Sequence, residues 1–164
     1  MPITRTTMID DDGSGTTGTI INNAWKQQFY DQIDAFADGV WIDIPFNAAN
    51  YTVAVGSGTW TVASGNQLTL ARVTLNQKTL LVTFHVNGTA TTGSVQVLGV
   101  TIPGITNTRR LNGTFNWYGS SGSGVGMLDI TGGSNVIRLQ RDYGGTPWTA
   151  TTGFFLAGQI VLSV

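Results

Sequence analysis

The sequence predicts an all-β protein: an antiparallel β-sandwich of the jelly-roll kind, preceded by an extended N-terminal arm and one short α-helix. Three observations predict it. Runs with an apolar residue at every second position recur from residue 40 to the end, at a spacing of roughly 8–12 residues that suits strands joined by short turns. Glycine is heavily used at 22 residues, glutamate is absent, and only 10% of residues are charged, against about 25% in an average soluble protein. Long solvated helices lean on Glu and Lys, whereas short strands and tight turns do not. Finally, a helical period occurs only once, between Ile21 and Phe36. With 41% apolar residues the composition is not that of a disordered chain. Its 164 residues suit one domain of ordinary size. The expected division is an arm and helix over 1–39 and a β-body over 40–164.

The elements follow in order. Met1–Thr19 is polar, short-sided and punctuated by glycine, with neither a 2- nor a 3.6-residue period. Such a segment cannot bury enough surface to fold alone, so it is expected to order against another surface. The helix starts at Asn22 or Asn23 as N-cap and ends at Gly39. Ile21, Trp25, Phe29, Ile33 and Phe36 fall on one face, with Lys26, Gln27, Asp31 and Asp34 elsewhere. Burying side chains of this size is worth about 1.5–3 kcal/mol each. That face either caps its own body or packs around a twofold or threefold axis.

Val40, Ile42, Ile44 and Phe46 alternate with polar or bulky neighbours, and Pro45 argues for an edge strand. Tyr51, Val53 and Val55 come next, then Trp60 and Val62. Leu68 and Leu70 share a phase that Val73 and Leu75 have slipped by one, which predicts a bulge near Ala71–Arg72. Asn76-Gln77 turns the chain into Leu80, Val82, Phe84 and Val86, the clearest strand. Val95–Ile102 and Leu111–Tyr118 follow, the latter leading into a glycine-serine stretch, 119–124, read as a flexible loop. Met127–Ile130 and Val136–Arg141 flank Gly132-Gly133 as a hairpin. Phe154, Leu156, Ile160, Leu162 and Val164 keep one phase to the last residue, so the β-body is expected to be the distal module and the arm the attachment end.

Two stretches carry a resemblance. Asp10–Phe36, DDDGSGTTGTIINNAWKQQFYDQIDAF, is similar to segments near the start of tailed-bacteriophage virion proteins such as tail fibres. The body, with WTV, then QLTLARVTLNQKTLLVTFHVNGTATTGSVQVLGVTIPG, then VIRLQRD and a final GQIVLSV, resembles a domain found at the C-terminal ends of phage tail proteins. The resemblance implies a virion structural protein, assembled in the host cytoplasm, that is anchored through its arm. Its implied partners are other virion proteins of tail or capsid, and its implied state is a homotrimer. A tail-fibre or receptor-binding role leads a capsid-decoration role, and a free-standing carbohydrate-binding module is the rival of another class.

Charge divides close to the same line. Residues 1–43 hold seven of the nine Asp against Arg5 and Lys26, a net −5, and residues 44–164 carry +4. The two parts are therefore expected to meet different partners, or each other across subunits. Asp10, Asp11 and Asp12, with the apolar helix positions, are the candidate attachment residues. Asp10, Asp12, Ser14 and Gly15 match the opening of a calcium loop, but its twelfth position is Ile21 rather than Glu, so no metal is expected. No cofactor is expected either.

Catalysis has little to work with. There is no cysteine, one histidine and no G-x-S-x-G elbow. His85 is placed on the strand face opposite Phe84 and Val86, and Asp129, Asp142 and Asp43 are the only acids at hand for the body. Nucleic acid is not an expected partner, because the pI near 5.5 lacks a basic stripe. Arg138 and Arg141, three apart, face opposite sides of a strand. No stretch approaches the ~20 apolar residues of a membrane span, and no leader pattern opens the chain. Asn87-Gly-Thr and Asn112-Gly-Thr fit the glycosylation pattern, which carries no meaning in a bacterial host. Trp117, Tyr118 and Trp148 border glycine-rich loops. They are read either as stacking platforms for a host-surface glycan or as rings that close the ends of the core.

Overall fold

The structure is a computed structural model that describes residues 41–76, 78–148 and 151–164. The expected arm and helix, with Asp10, Asp11, Asp12, Ile21, Trp25, Phe29, Ile33 and Phe36, lie outside the described residues. What is described is all-β and antiparallel. Ten strands run in chain order: β1 (Trp41–Asp43), β2 (Tyr51–Gly56), β3 (Thr59–Thr61), β4 (Gln67–Asn76) and β5 (Thr79–Thr92). They continue as β6 (Val95–Thr101), β7 (Leu111–Gly119), β8 (Gly122–Ile130), β9 (Val136–Gln140) and β10 (Thr151–Ser163). Two single turns of 3-10 helix, Ala48–Asn50 and Ser64–Asn66, precede β2 and β4.

All ten strands belong to one hydrogen-bonded sheet in the order β1-β4-β5-β10-β7-β8-β9-β6-β2, with β3 beside β5. The period-two pattern explains which face is buried. Leu80, Val82, Phe84 and Val86 of β5 and Phe154, Leu156, Ile160 and Leu162 of β10 join one core, with Leu98 and Val100 of β6, Leu128 and Ile130 of β8, and Ile137 and Leu139 of β9. The last strand is thus central, pairing with β5 along most of its length and with β7 from Phe155 to Gly158.

The sheet curls until its two ends meet. The Tyr51 hydroxyl of β2 donates to Gln67 Oε1 of β4 at 2.7 Å, and Gln67 Nε2 donates to the Ile44 carbonyl beyond β1 at 2.8 Å. Arg72 of β4 reaches the Pro103 carbonyl after β6. Tyr51 is 5% exposed, with its ring edge-on to Trp60, and burial pushes its hydroxyl up to about 12 from the usual 10. Below pH 10 both folded and unfolded chains keep this proton and the contribution to stability is intact. Between about pH 10 and 12 only the unfolded chain releases it, so stability falls as pH rises through that window. Urea unfolding measured from pH 8 to 12 is expected to show this loss in the native chain and to lack it in Tyr51→Phe. An equal decline in both would place the alkaline sensitivity elsewhere.

Two sequence expectations are corrected. No bulge interrupts Ala71–Arg72: β4 keeps register with β5 from Thr69 to Thr74, and the irregularities lie on either side. The phase slip arises because both faces are covered there, Leu70 on the core side and Ala71 and Val73 on the other. Nor is 119–124 a loose loop. β7 and β8 stay paired up to Gly119–Gly122, leaving Ser120-Ser121 as the turn. The glycines serve the hairpin, with Gly122 at φ 122° and Gly124 paired with Trp117, where a Cβ would come within 3.1 Å of the indole. The edge position of β1 and the hairpin between β8 and β9 agree with the sequence.

Candidate functional site

The three aromatic candidates separate. Trp148 is 1% exposed and Trp117 7%, whereas Tyr118 is 63% exposed. Trp148 meets Phe154 edge-on at 5.3 Å and Trp117 edge-on at 5.7 Å, and stacks against Phe115 at 6.3 Å. The segment delivering it is pinned. Trp148 N–H donates to the Val95 carbonyl at 2.8 Å, and Thr146 N–H donates to Asp142 Oδ1 at 2.9 Å. Hydrogen bonds from the side chain and backbone of Thr146 hold the Asp142 carboxyl below its usual range. Arg141 lies over the Trp117 ring at 4.6 Å, and Trp117 Nε1–H donates to the Arg141 carbonyl at 3.1 Å. Trp117 and Trp148 are therefore core residues rather than surface platforms, because their ring faces are already taken. Tyr118 alone of the three remains a surface ring.

The acids are held apart in chemistry. Asp129 is 3% exposed on β8, with Arg138 Nη1 at 3.6 Å and Arg110 Nη2 at 3.9 Å from Oδ2. Asp142 serves the turn before Trp148, and Asp43 ends the edge strand β1. Among the described residues no group of three or more His, Cys, Asp or Glu gathers as a metal site. Nor is any described helix long and apolar enough to cross a membrane.

What the fold does assemble is a depression on the outward face of β4, β5, β10 and β7. Strand alternation turns Thr69, Thr83, His85, Asn116, Thr114 and Gln159 away from the core, and the sheet order sets them side by side. His85 pairs with Thr69 on one side and Ala157 on the other, and Ala157 pairs with Asn116. One row across four strands results. Thr83 opposite Gln159 begins a second. The small side chain of Ala157, between His85 and Asn116, leaves a hollow of about 600 Å³. His85 sits edge-on to Phe155 at 4.7 Å, with Nε2 buried and without a hydrogen-bond partner. Phe155 pairs with Tyr118 in the neighbouring row of the same face, so an exposed ring stands next to the row that carries Asn116, outside the residues that line the hollow. Beyond the shared Gln159, a second hollow of about 460 Å³ runs along β10 past Arg109.

The outward orientation of His85 was legible from its strand. Its companions were not, because Thr69, Asn116 and Gln159 come from three other strands and only sheet order brings them together. Compared with protein-family models, curated proteins and solved structures, the chain finds no match.

Proposed function

We propose that this is a virion structural protein of the tailed-phage kind, a small trimeric appendage in which residues 1–39 attach and residues 40–164 form the displayed body. The observation that carries the reading is the resemblance of Asp10–Phe36 to the start of phage virion proteins, with a second resemblance over the body. The division of charge supports it, since residues 1–39 carry net −4 and residues 40–164 net +3. We read the curled sheet as a jelly-roll-like sandwich, with β1, β4, β5, β10 and β7 in one layer and β8, β9, β6 and β2 in the other. Core side chains drawn from both ends of the strand order support that. Within this class a receptor-binding role leads capsid decoration, because the outward face carries the hollow beside Tyr118.

Light scattering on the full chain and on a chain shortened to start at Gly39 tests the assembly. The expected result is a trimer that becomes monomeric on shortening, with the body still folded around the cluster that the described residues form between Ile44 and Leu162. Two trimers would move the interface into the body and leave the arm free for the particle. Two monomers would sink the trimeric appendage and bring forward the carbohydrate-binding module. Removing residues 1–19 is expected to abolish incorporation into particles.

A further inference from the structure

We infer that the outward hollow between β4, β5, β10 and β7 is a binding site for a neutral oligosaccharide, with Asn116, Gln159 and Thr83 as its hydrogen-bonding groups and Tyr118, in the neighbouring row of the same face, as its stacking ring. This deepens the receptor-binding form of the proposed function and rests on it for its biological setting. The binding itself rests on the hollow.

The chemistry of the lining selects the ligand class. Thr69, Thr83, Thr114, Asn116 and Gln159 offer hydroxyls and amides that both donate and accept, which suits vicinal sugar hydroxyls. Among the described residues that line this hollow none carries a fixed charge, which favours a neutral ligand over a phosphate chain or an acidic peptide.

These groups also have capacity to spare. Thr83 makes only a 3.5 Å approach to the Gly158 carbonyl, and the side chains of Asn116 and Gln159 point outward from exposed positions. His85 Nε2 is buried without a partner, and an unsatisfied buried polar atom in a native structure calls for an explanation. That atom has no solvent-facing surface, so the groups the hollow presents to a ligand are Asn116, Gln159 and Thr83.

The backbone argues against a peptide strand as occupant. Ala157 and Gly158 already pair with β5 on one side and β7 on the other, so no free strand edge is offered at the floor. Recognition there has to come from side chains and a ring face. Tyr118, exposed and opposite the half-buried Phe155, supplies that face at the rim. The second hollow beyond Gln159 is lined by Arg109 and lies outside this neutral site.

The test titrates the full chain with maltohexaose, cellohexaose, laminarihexaose and chitohexaose by calorimetry, with oligogalacturonate and an unstructured neutral peptide alongside. At least one neutral hexasaccharide is expected to bind. Asn116→Ala and Gln159→Ala are each expected to weaken it about fivefold to tenfold, and Tyr118→Ala about tenfold, with Tyr118→Phe largely retaining affinity. All of these positions are exposed, so melting temperatures should stay near that of the native chain.

Absence of binding to every neutral sugar overturns the inference. So does binding that survives the triple replacement of Asn116, Gln159 and Tyr118 by alanine, or preference for oligogalacturonate or the peptide. Incorporation into particles is scored separately. A chain that incorporates but binds no sugar overturns this site and leaves the appendage reading standing, while a chain that binds sugar but never incorporates does the reverse.

Discussion

Replacing Trp148 by alanine is expected to lower the unfolding free energy of the body by about 3–5 kcal/mol. The ring is 1% exposed and enclosed by Trp117, Phe154 and Phe115, so truncation leaves a cavity lined by rigid rings that cannot collapse to fill it. A loss of that size is a large share of the about 5–15 kcal/mol that holds a typical domain together. Trp148→Phe should cost much less. It keeps a ring in the cluster and removes the indole Nε1–H, which is buried without a hydrogen-bond partner. Urea unfolding followed by far-UV circular dichroism measures both. The outcome bears on function as well as stability. Were Trp148 a surface platform, alanine would leave stability within about 0.5 kcal/mol of the native chain and change only ligand affinity. A near-native unfolding curve for Trp148→Ala would therefore return it to the list of surface contacts.

The strands were legible wherever one face is buried and the other is not. β10 and the first half of β5 show this best: Phe154–Leu162 and Leu80–Val86 keep a single phase in sequence and structure. β5 slips only at Asn87-Gly88, beyond which Thr89 and Thr91 are the buried positions. The pattern misleads where that condition breaks. In β4 both faces are covered around Leu70–Val73, and two buried phases imitate a bulge. Along 119–124 the glycines suggest slack in the sequence, whereas the hairpin and the Trp117 ring require them. At β1 the alternation is clean, yet Ile42 is 49% exposed, because an edge strand has less sheet to lean on.

Strand order is non-local information that no single period encodes. β10 closes the chain yet lies between β5 and β7, and that one placement creates the outward hollow. The same lack of non-local information explains the aromatic candidates. Trp117, Tyr118 and Trp148 look alike in sequence, each beside a glycine-rich stretch. Strand alternation separates the neighbours Trp117 and Tyr118 onto opposite faces. The bridge from Trp148 to Val95 draws the third ring inward. A period-two reading carried through Phe115–Trp117 would have found the first of these. Nothing local foretold the second.

Gly126→Ala is expected to destabilise the body by about 3 kcal/mol, at the upper end of the usual cost of overpacking. Phe115 lies between two glycines, paired with Gly126 of β8 on one side and Gly158 of β10 on the other. A Cβ on Gly126 would fall 2.4 Å from two atoms of the Phe115 ring and 2.6 Å from the backbone oxygen of Gln140. The ring can turn only against Trp148 and Phe84, which it already touches, and the carbonyl belongs to a paired strand. The clash predicts a specific coupling. In a chain that also carries Phe115→Leu, the added methyl meets a smaller side chain, so the double variant should be at least about 1 kcal/mol more stable than the sum of the two single losses. Recovery should be partial, since the Gln140 oxygen stays in place. Chemical unfolding of the native chain, both single variants and the double variant closes the cycle. Simple additivity would mean that Phe115 does not cover Gly126, and the packing assigned to the middle of the sheet would fall with it.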